Sequence, residues 1–101
     1  MVQEVTDVEE IPSNGKVVID FFANWCGPCQ RIKPIFEKLE AQFPGILFLK
    51  VNTDAAEELS TLFKVNSLPT FVCIYNGNFT ARIEGADVQG LGQALVALEK
   101  M

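Results

Sequence analysis

Three features of this chain predict an α/β fold with a central mixed five-stranded sheet flanked by helices on both faces. The runs Val17 to Ala23 and Ile46 to Asn52 carry little polar alternation, the pattern of strands buried on both faces. Apolar residues at helical spacing follow each run, as βαβ crossover units require. Farther on, Asn76-Gly77 divides two strand-like runs, a two-residue hairpin signal that demands an antiparallel return. Parallel crossovers joined to an antiparallel hairpin make the sheet mixed.

Taken in order, Val2 to Val5 alternates apolar and polar and reads as a short edge strand. Thr6-Asp7-Val8-Glu9 has the form of a capping box, so a brief helix is expected before Pro12 and the turn Ser13-Asn14-Gly15 stop it. Val17 to Ala23 is the buried strand, interrupted only by Asp20. From Pro28 to Phe43 the positions Ile32, Ile35, Phe36, Leu39 and Phe43 trace one face of a helix, with Lys33, Glu37, Lys38 and Glu40 on the other. Pro34 lies inside it and predicts a kink. Pro44-Gly45 ends this helix, and Ile46 to Asn52 forms the next strand. Asp54 is placed to cap a third helix whose face is Leu59, Leu62 and Phe63. Strand Thr70 to Tyr75, the hairpin and strand Asn78 to Glu84 follow. Val88, Leu91, Ala94, Leu95 and Leu98 mark the final helix.

A chain of 101 residues, 49% hydrophobic and with eight Phe, fits one domain over residues 1–101 that can fill a core without staples. No apolar run approaches the roughly 20 residues needed to cross a bilayer, so no membrane span is expected. Met1-Val2-Gln3-Glu4-Val5 has neither a basic nor an apolar leader region, which makes the cytoplasm the expected location. The net charge of −5 and the scatter of the eight basic residues argue against a nucleic-acid surface. An acidic surface favours solubility and basic docking partners.

The chemistry centres on Trp25-Cys26-Gly27-Pro28-Cys29, where an apolar run ends and a helical pattern begins. Residues at i and i+3 of a helix have Cβ atoms roughly 5–6 Å apart, and a disulfide needs Cα atoms roughly 4.4–6.8 Å apart, so this pair can open and close almost in place. Cys26, at the helix start, sits among unpaired N–H groups at the positive end of the dipole, which favours its thiolate and makes it the nucleophile. Cys29, one turn in, is placed to attack a mixed disulfide formed on Cys26 and is the resolving thiol. A zinc site would need four Cys or His ligands, whereas the chain has no His and its only other thiol, Cys73, lies in a core-like strand. The same count weighs against a four-Cys iron–sulfur cluster held by one chain, although ligation shared between two chains stays open. Between Val72 and Ile74, Cys73 reads as a small buried hydrophobe, with a regulatory thiol as the alternative.

Together with Asp20-Phe21, Pro34, Lys50-Val51-Asn52, Leu68-Pro69-Thr70, Gly77 and Gly85, this run resembles the thioredoxin family from about Val2 to the C-terminus. A lone CxxC is a weak signal, but the ordered set is specific. The resemblance implies the thioredoxin fold. It also implies that Asp20, six residues before Cys26, is the family's buried aspartate, which lies behind the second cysteine and serves in proton transfer. Burial should raise its pKa while Lys50 pulls it down, so Cys26, Cys29, Asp20 and Lys50 form the implied catalytic set. The blander reading of Asp20 is a structural carboxylate satisfied by Lys50 or water. Leu68-Pro69 is implied to be the family's cis peptide facing the disulfide, against the alternative of an ordinary strand-entry proline. Trp25, Gly27, Pro28, Leu68, Pro69, Gly85 and Ala86 would then form a shallow apolar platform for an extended substrate, with Trp25 alternatively a packing residue. One departure is Gln30, which stands directly after the second cysteine where many relatives have a basic residue.

The implied activity is protein-disulfide reduction in cytosolic redox homeostasis by a monomer with no bound cofactor or metal. The implied partners are disulfide-containing protein substrates and an NADPH-dependent, flavin-containing thioredoxin reductase. An oxidant or disulfide isomerase of the same fold is the enzymatic rival. Gly27-Pro28 argues against it, because isomerase-type sites typically carry a His in that dipeptide. A binding or scaffolding module, such as a polymerase or assembly subunit, is the rival from another class; the intact cysteines make it an addition to catalysis.

Overall fold

In the computed structural model, which describes residues 1–101, the strands β1 (Gln3–Glu4), β2 (Lys16–Phe22), β3 (Ile46–Asn52), β4 (Thr70–Tyr75) and β5 (Asn78–Glu84) form one sheet in the order β1-β3-β2-β4-β5. β1 and β2 run parallel to β3, whereas β4 is antiparallel to both β2 and β5. The helices are α1 (Gly27–Gln42), α2 (Glu57–Leu62) and α3 (Val88–Glu99). This is the expected mixed sheet. Its centre is β2, which explains why Val17 to Phe21 lacks alternation: both faces of that strand are covered.

Strand pleating sorts the core into two layers. Val18, Phe48, Phe71 and Cys73 point to one face, where they pack against Ile32 and Phe36 of α1 and Leu91, Leu95 and Leu98 of α3. Val17, Ile19, Phe21, Leu49, Val51, Val72 and Ile74 point to the other, under Leu59 of α2 and Phe63. Fully burying one such Leu or Phe is worth about 1.5–3 kcal/mol, so the layers clamp β2 and β3 from both sides. By the same pleat Asp20 faces the α1 layer. The Asn76-Gly77 turn has both residues in the left-handed region, at φ 50° and 83°, as a type I′ hairpin requires. It is tied to the Ser13–Gly15 turn by two hydrogen bonds: Asn76 N–H to the Gly15 carbonyl at 2.8 Å, and Gly15 N–H to Asn76 Oδ1 at 2.7 Å.

Five local expectations are corrected. The capping box is centred one residue later: Asp7 is the N-cap of a single 3₁₀ turn, Val8–Glu10, and the Glu10 carboxylate accepts from the N–H groups of Thr6 and Asp7. Glu10 wins over Glu9 because from there one carboxylate satisfies two backbone donors. Asp54 does not cap α2. Ala55 and Ala56 N–H both donate to the Asn52 carbonyl, so the chain turns first, and the helix starts after Ala56 with no side-chain cap. Leu62, expected on the apolar face, is 60% exposed, because α2 is only six residues long and its last turn runs past the sheet contact. Val88, at the first turn of α3, is 44% exposed for the corresponding reason at a helix start. β2 also ends one residue early, which leaves Ala23 to begin the turn that carries the cysteines.

Candidate active site

The site is built where β2 runs out. The Ala23 carbonyl accepts from Cys26 N–H at 3.2 Å and from the Gln30 side-chain amide at 3.3 Å, so Gln30 braces the turn. Cys26 has an extended backbone (φ −86°, ψ 109°) and is the N-cap of α1; its Sγ accepts from Cys29 N–H at 3.2 Å. Gly27 and Pro28 open the helix, and the N–H that proline lacks would have had no partner in this first turn. Cys26 and Cys29 are joined as a disulfide, with Cα atoms 5.3 Å apart. The sulfur of Cys26 therefore lies where helix N–H groups and the dipole stabilise negative charge.

The two cysteines face different spaces. Cys26, 5% exposed, lines a surface groove of about 500 Å³ with Trp25, Gly27, Pro28, Thr53, Ser60 and the segment Val65–Leu68. Cys29, 2% exposed, lines a cavity of about 40 Å³ with Asp20, Phe22, Asn24, Gln30, Lys33 and Lys50. A water molecule needs roughly 10–15 Å³ of such space, so the cavity has room to relay a proton. Asp20 is buried there, and its Oδ1 has no hydrogen-bond partner. Burial pushes its carboxyl up to about 7, with the Lys50 ammonium pulling against the rise. Lys50 is the register neighbour of Asp20 across β2 and β3, yet the ion pairs of the chain are Met1–Glu40 and Arg82–Glu84. Lys50 thus acts on Asp20 through space and does not satisfy it, while its ammonium lies 6.0 Å from the centre of the Phe22 ring.

The Leu68-Pro69 peptide is cis. Leu68 packs against Ala23, Cys26 and Cys29. Gly85 N–H donates to the Pro69 carbonyl at 2.8 Å, which sets the Gly85 turn beside the proline; Ala86 follows it on the surface. Neither Gly85 nor Ala86 lines the groove around Cys26, whose far wall is the Val65–Leu68 segment. Trp25 is no packing residue: it is 72% exposed, and its Nε1–H donates to Asp54 Oδ2 at 2.8 Å. Sequence reasoning missed Thr53, Ser60, Val65 and Asn66, which line the groove only through folding and carry no motif, and it read Asp54 as a helix cap rather than as the partner of Trp25. Cys73 is wholly buried in β4, and burial pushes its thiol up to about 11, which keeps it protonated and inert.

A family model described as Thioredoxin matches residues 3–97. The chain belongs to the thioredoxin family. Thioredoxin 1 of Plasmodium falciparum (isolate 3D7) is 36% identical over 99 residues, covering 94% of this chain and 95% of that one. The crystal structure of thioredoxin from Trypanosoma brucei brucei matches with a TM-score of 0.93 at 34% identity, covering 100% of this chain and 93% of that one. Peptide-N(4)-(N-acetyl-beta-glucosaminyl)asparagine amidase of Caenorhabditis elegans is 38% identical over 88 residues, 87% of this chain but only 14% of that protein's length. The thioredoxin fold of the chain is thus established, and Cys26–Cys29 is its redox-active disulfide. No helix is long and apolar enough to cross a membrane.

Proposed function

We propose that this chain is a protein-disulfide reductase working through a mixed disulfide. The observation that carries the reading is the division of the two sulfurs, with Cys26 at a helix N-terminus on a surface groove and Cys29 over the Asp20 cavity. In the reduced protein the Cys26 thiolate attacks one sulfur of the substrate disulfide. A Cys26–substrate bond forms, the substrate S–S bond breaks, and the other substrate sulfur leaves as a thiolate that takes up a proton. Asp20 then accepts the Cys29 proton, and the Cys29 sulfur attacks Cys26 Sγ. That closes the Cys26–Cys29 disulfide and expels the second substrate thiolate. Two electrons pass from the dithiol to the substrate. A carboxyl titrating near neutrality suits Asp20 to both taking up and returning the proton.

In this reading Lys50 biases the Asp20 equilibrium, while Trp25, Gly27, Pro28 and Leu68 receive the substrate segment, with Pro69, Gly85 and Ala86 as its continuation. The substrates are proteins with accessible disulfides. An NADPH-dependent, flavin-containing thioredoxin reductase resets the dithiol, and residues 1–101 act as one domain and a monomer. A cytosolic setting fits a chain whose third cysteine is buried and unpaired. The test is insulin reduction by dithiothreitol with catalytic amounts of the protein. Accelerated precipitation of the insulin B chain is expected, and no acceleration by protein whose disulfide has first been reduced would overturn the assignment.

A further inference from the structure

One face of the sheet lies under α1 and α3, sixteen and twelve residues long, whereas the helical cover of the other is α2, six residues, and the 3₁₀ turn, three residues. That short cover leaves apolar side chains in solvent: Val8, Leu62 and Phe79 are all exposed, and all three line one groove. Its two lobes, of about 240 and about 360 Å³, share Val8 and Leu62 and so run together. Ile11, Phe63 and Ile74 line the larger lobe, and the Phe79 ring is held 5.4 Å from that of Phe63 between centroids. Contiguous exposed apolar surface of this kind marks an interaction site. We propose that this groove, between the 3₁₀ turn, α2 and the tip of the β4–β5 hairpin, docks a basic amphipathic helix of a partner protein. The inference goes beyond the reductase reading and does not depend on it. The groove shares no residue with the one around Cys26: Ser60 of α2 lines that one, while Glu58, Leu59 and Leu62 line this one.

Charge selects the occupant. Asp7 and Glu58 line the smaller lobe, and Glu9, Glu10 and Glu57 stand on the same two elements. None of these five acids takes part in an ion pair of the chain, and neither residues 1–15 nor residues 51–63 include a Lys or Arg. At the other end Lys64 follows Phe63, and Arg82, which donates to the carbonyls of Phe63 and Lys64, is paired with Glu84. A partner with cations over the Val8 end therefore meets complementary potential. A second copy of this chain does not, because two-fold pairing sets the acidic patch against itself. The walls are helical turns and a hairpin tip rather than the side of a strand, so an occupant must satisfy its own backbone hydrogen bonds. A helix does so, and presents apolar side chains at i, i+3, i+4 and i+7 to such a groove.

The probe is a fluorescein-labelled peptide with Leu at that spacing and Lys elsewhere, about 18 residues long so as to hold a helix. A Glu-for-Lys counterpart and a scramble of the same Leu and Lys content accompany it. Anisotropy titrations use the oxidised protein, which keeps thiol chemistry out of the readout. The Lys peptide should bind more tightly than either control. Leu62→Ala and Phe79→Ala should each raise its Kd roughly five- to tenfold, while Val96→Ala, at an exposed position of α3 on the opposite face, should leave it level. Glu58→Lys should weaken the Lys peptide by roughly threefold and strengthen the Glu peptide. No binding of the Lys peptide, affinity equal to the scramble, or a Kd unmoved by both Leu62→Ala and Phe79→Ala would overturn the docking groove. Equal affinity for the Lys and Glu peptides would overturn the basic partner. Sedimentation equilibrium should show a monomer; a dimer dispersed by Leu62→Ala would give the groove to a second copy and sink the proposal. Insulin reduction should be the same in Leu62→Ala and Phe79→Ala as in the unmodified protein, so failure of the reductase reading and failure of the docking groove are separate results.

Discussion

Replacing Asp20 with Asn should make the stability of the oxidised protein less dependent on pH, in a direction the structure fixes. Unfolded, Asp20 titrates at its ordinary 3.8; folded, burial holds its proton until about 7. Between those values the native state binds more protons than the unfolded state, so stability falls as pH rises through the window, and the loss is complete above it. Each pH unit between the two values is worth about 1.36 kcal/mol, so the ionised carboxylate weakens the fold by about 4 kcal/mol relative to the protonated one. Lys50 already opposes the rise, and Oδ1 has no hydrogen bond to lose. Asp20→Asn keeps the shape and removes the titration. Whatever its amide costs in unmet hydrogen bonds is independent of pH. Urea unfolding of both oxidised proteins, from about pH 3 to about pH 8.5 so as to bracket both pKa values, isolates the effect. The stability of the variant relative to the unmodified protein should climb by about 4 kcal/mol across that range. A difference flat to within about 0.5 kcal/mol, the usual scatter of a neutral substitution, would refute the raised pKa and with it the case for Asp20 as proton acceptor.

Cys26→Ser should abolish disulfide reduction, whereas Cys29→Ser should still attack and then accumulate covalent complexes that dithiothreitol releases; mass spectrometry that found the trapped partner on Cys29 of the Cys26→Ser protein would reverse the roles. Within α2, Leu59→Ala should cost about 2–4 kcal/mol because Leu59 is buried under the sheet, while Leu62→Ala should stay within about 0.5 kcal/mol; chemical denaturation compares them directly. Gly77→Ala forces a side chain into φ 83° and should cost about 1–2 kcal/mol in the same assay, with no effect on reduction of a small disulfide.

Much of this protein was legible in its sequence because the signals are local. The absence of alternation in Val17 to Phe22, the helical spacing of Ile32, Phe36 and Leu39, and Asn76-Gly77 each report the environment of a few consecutive residues, so strand, helix and hairpin could be read without the fold. Cys26 and Cys29 were legible for the same reason: three residues apart at a helix start, their mutual geometry is set by the helix itself. The Asp20 position was readable only through resemblance, and its unpartnered oxygen only in three dimensions. Where one short element meets the rest of the chain, local pattern stops deciding. Asp54 looks like a helix cap, yet its carboxylate is taken by Trp25, 29 residues away. Leu62 keeps the apolar period while its helix runs out over solvent. The groove wall at Val65–Leu68 and the cavity shared by Cys29, Asp20 and Lys50 arise from strand order and pleat, which bring distant residues to one end of the sheet. Periodicity is a property of neighbours along the chain, whereas burial, charge and hydrogen-bond satisfaction depend on neighbours across it, and those only the tertiary structure decided.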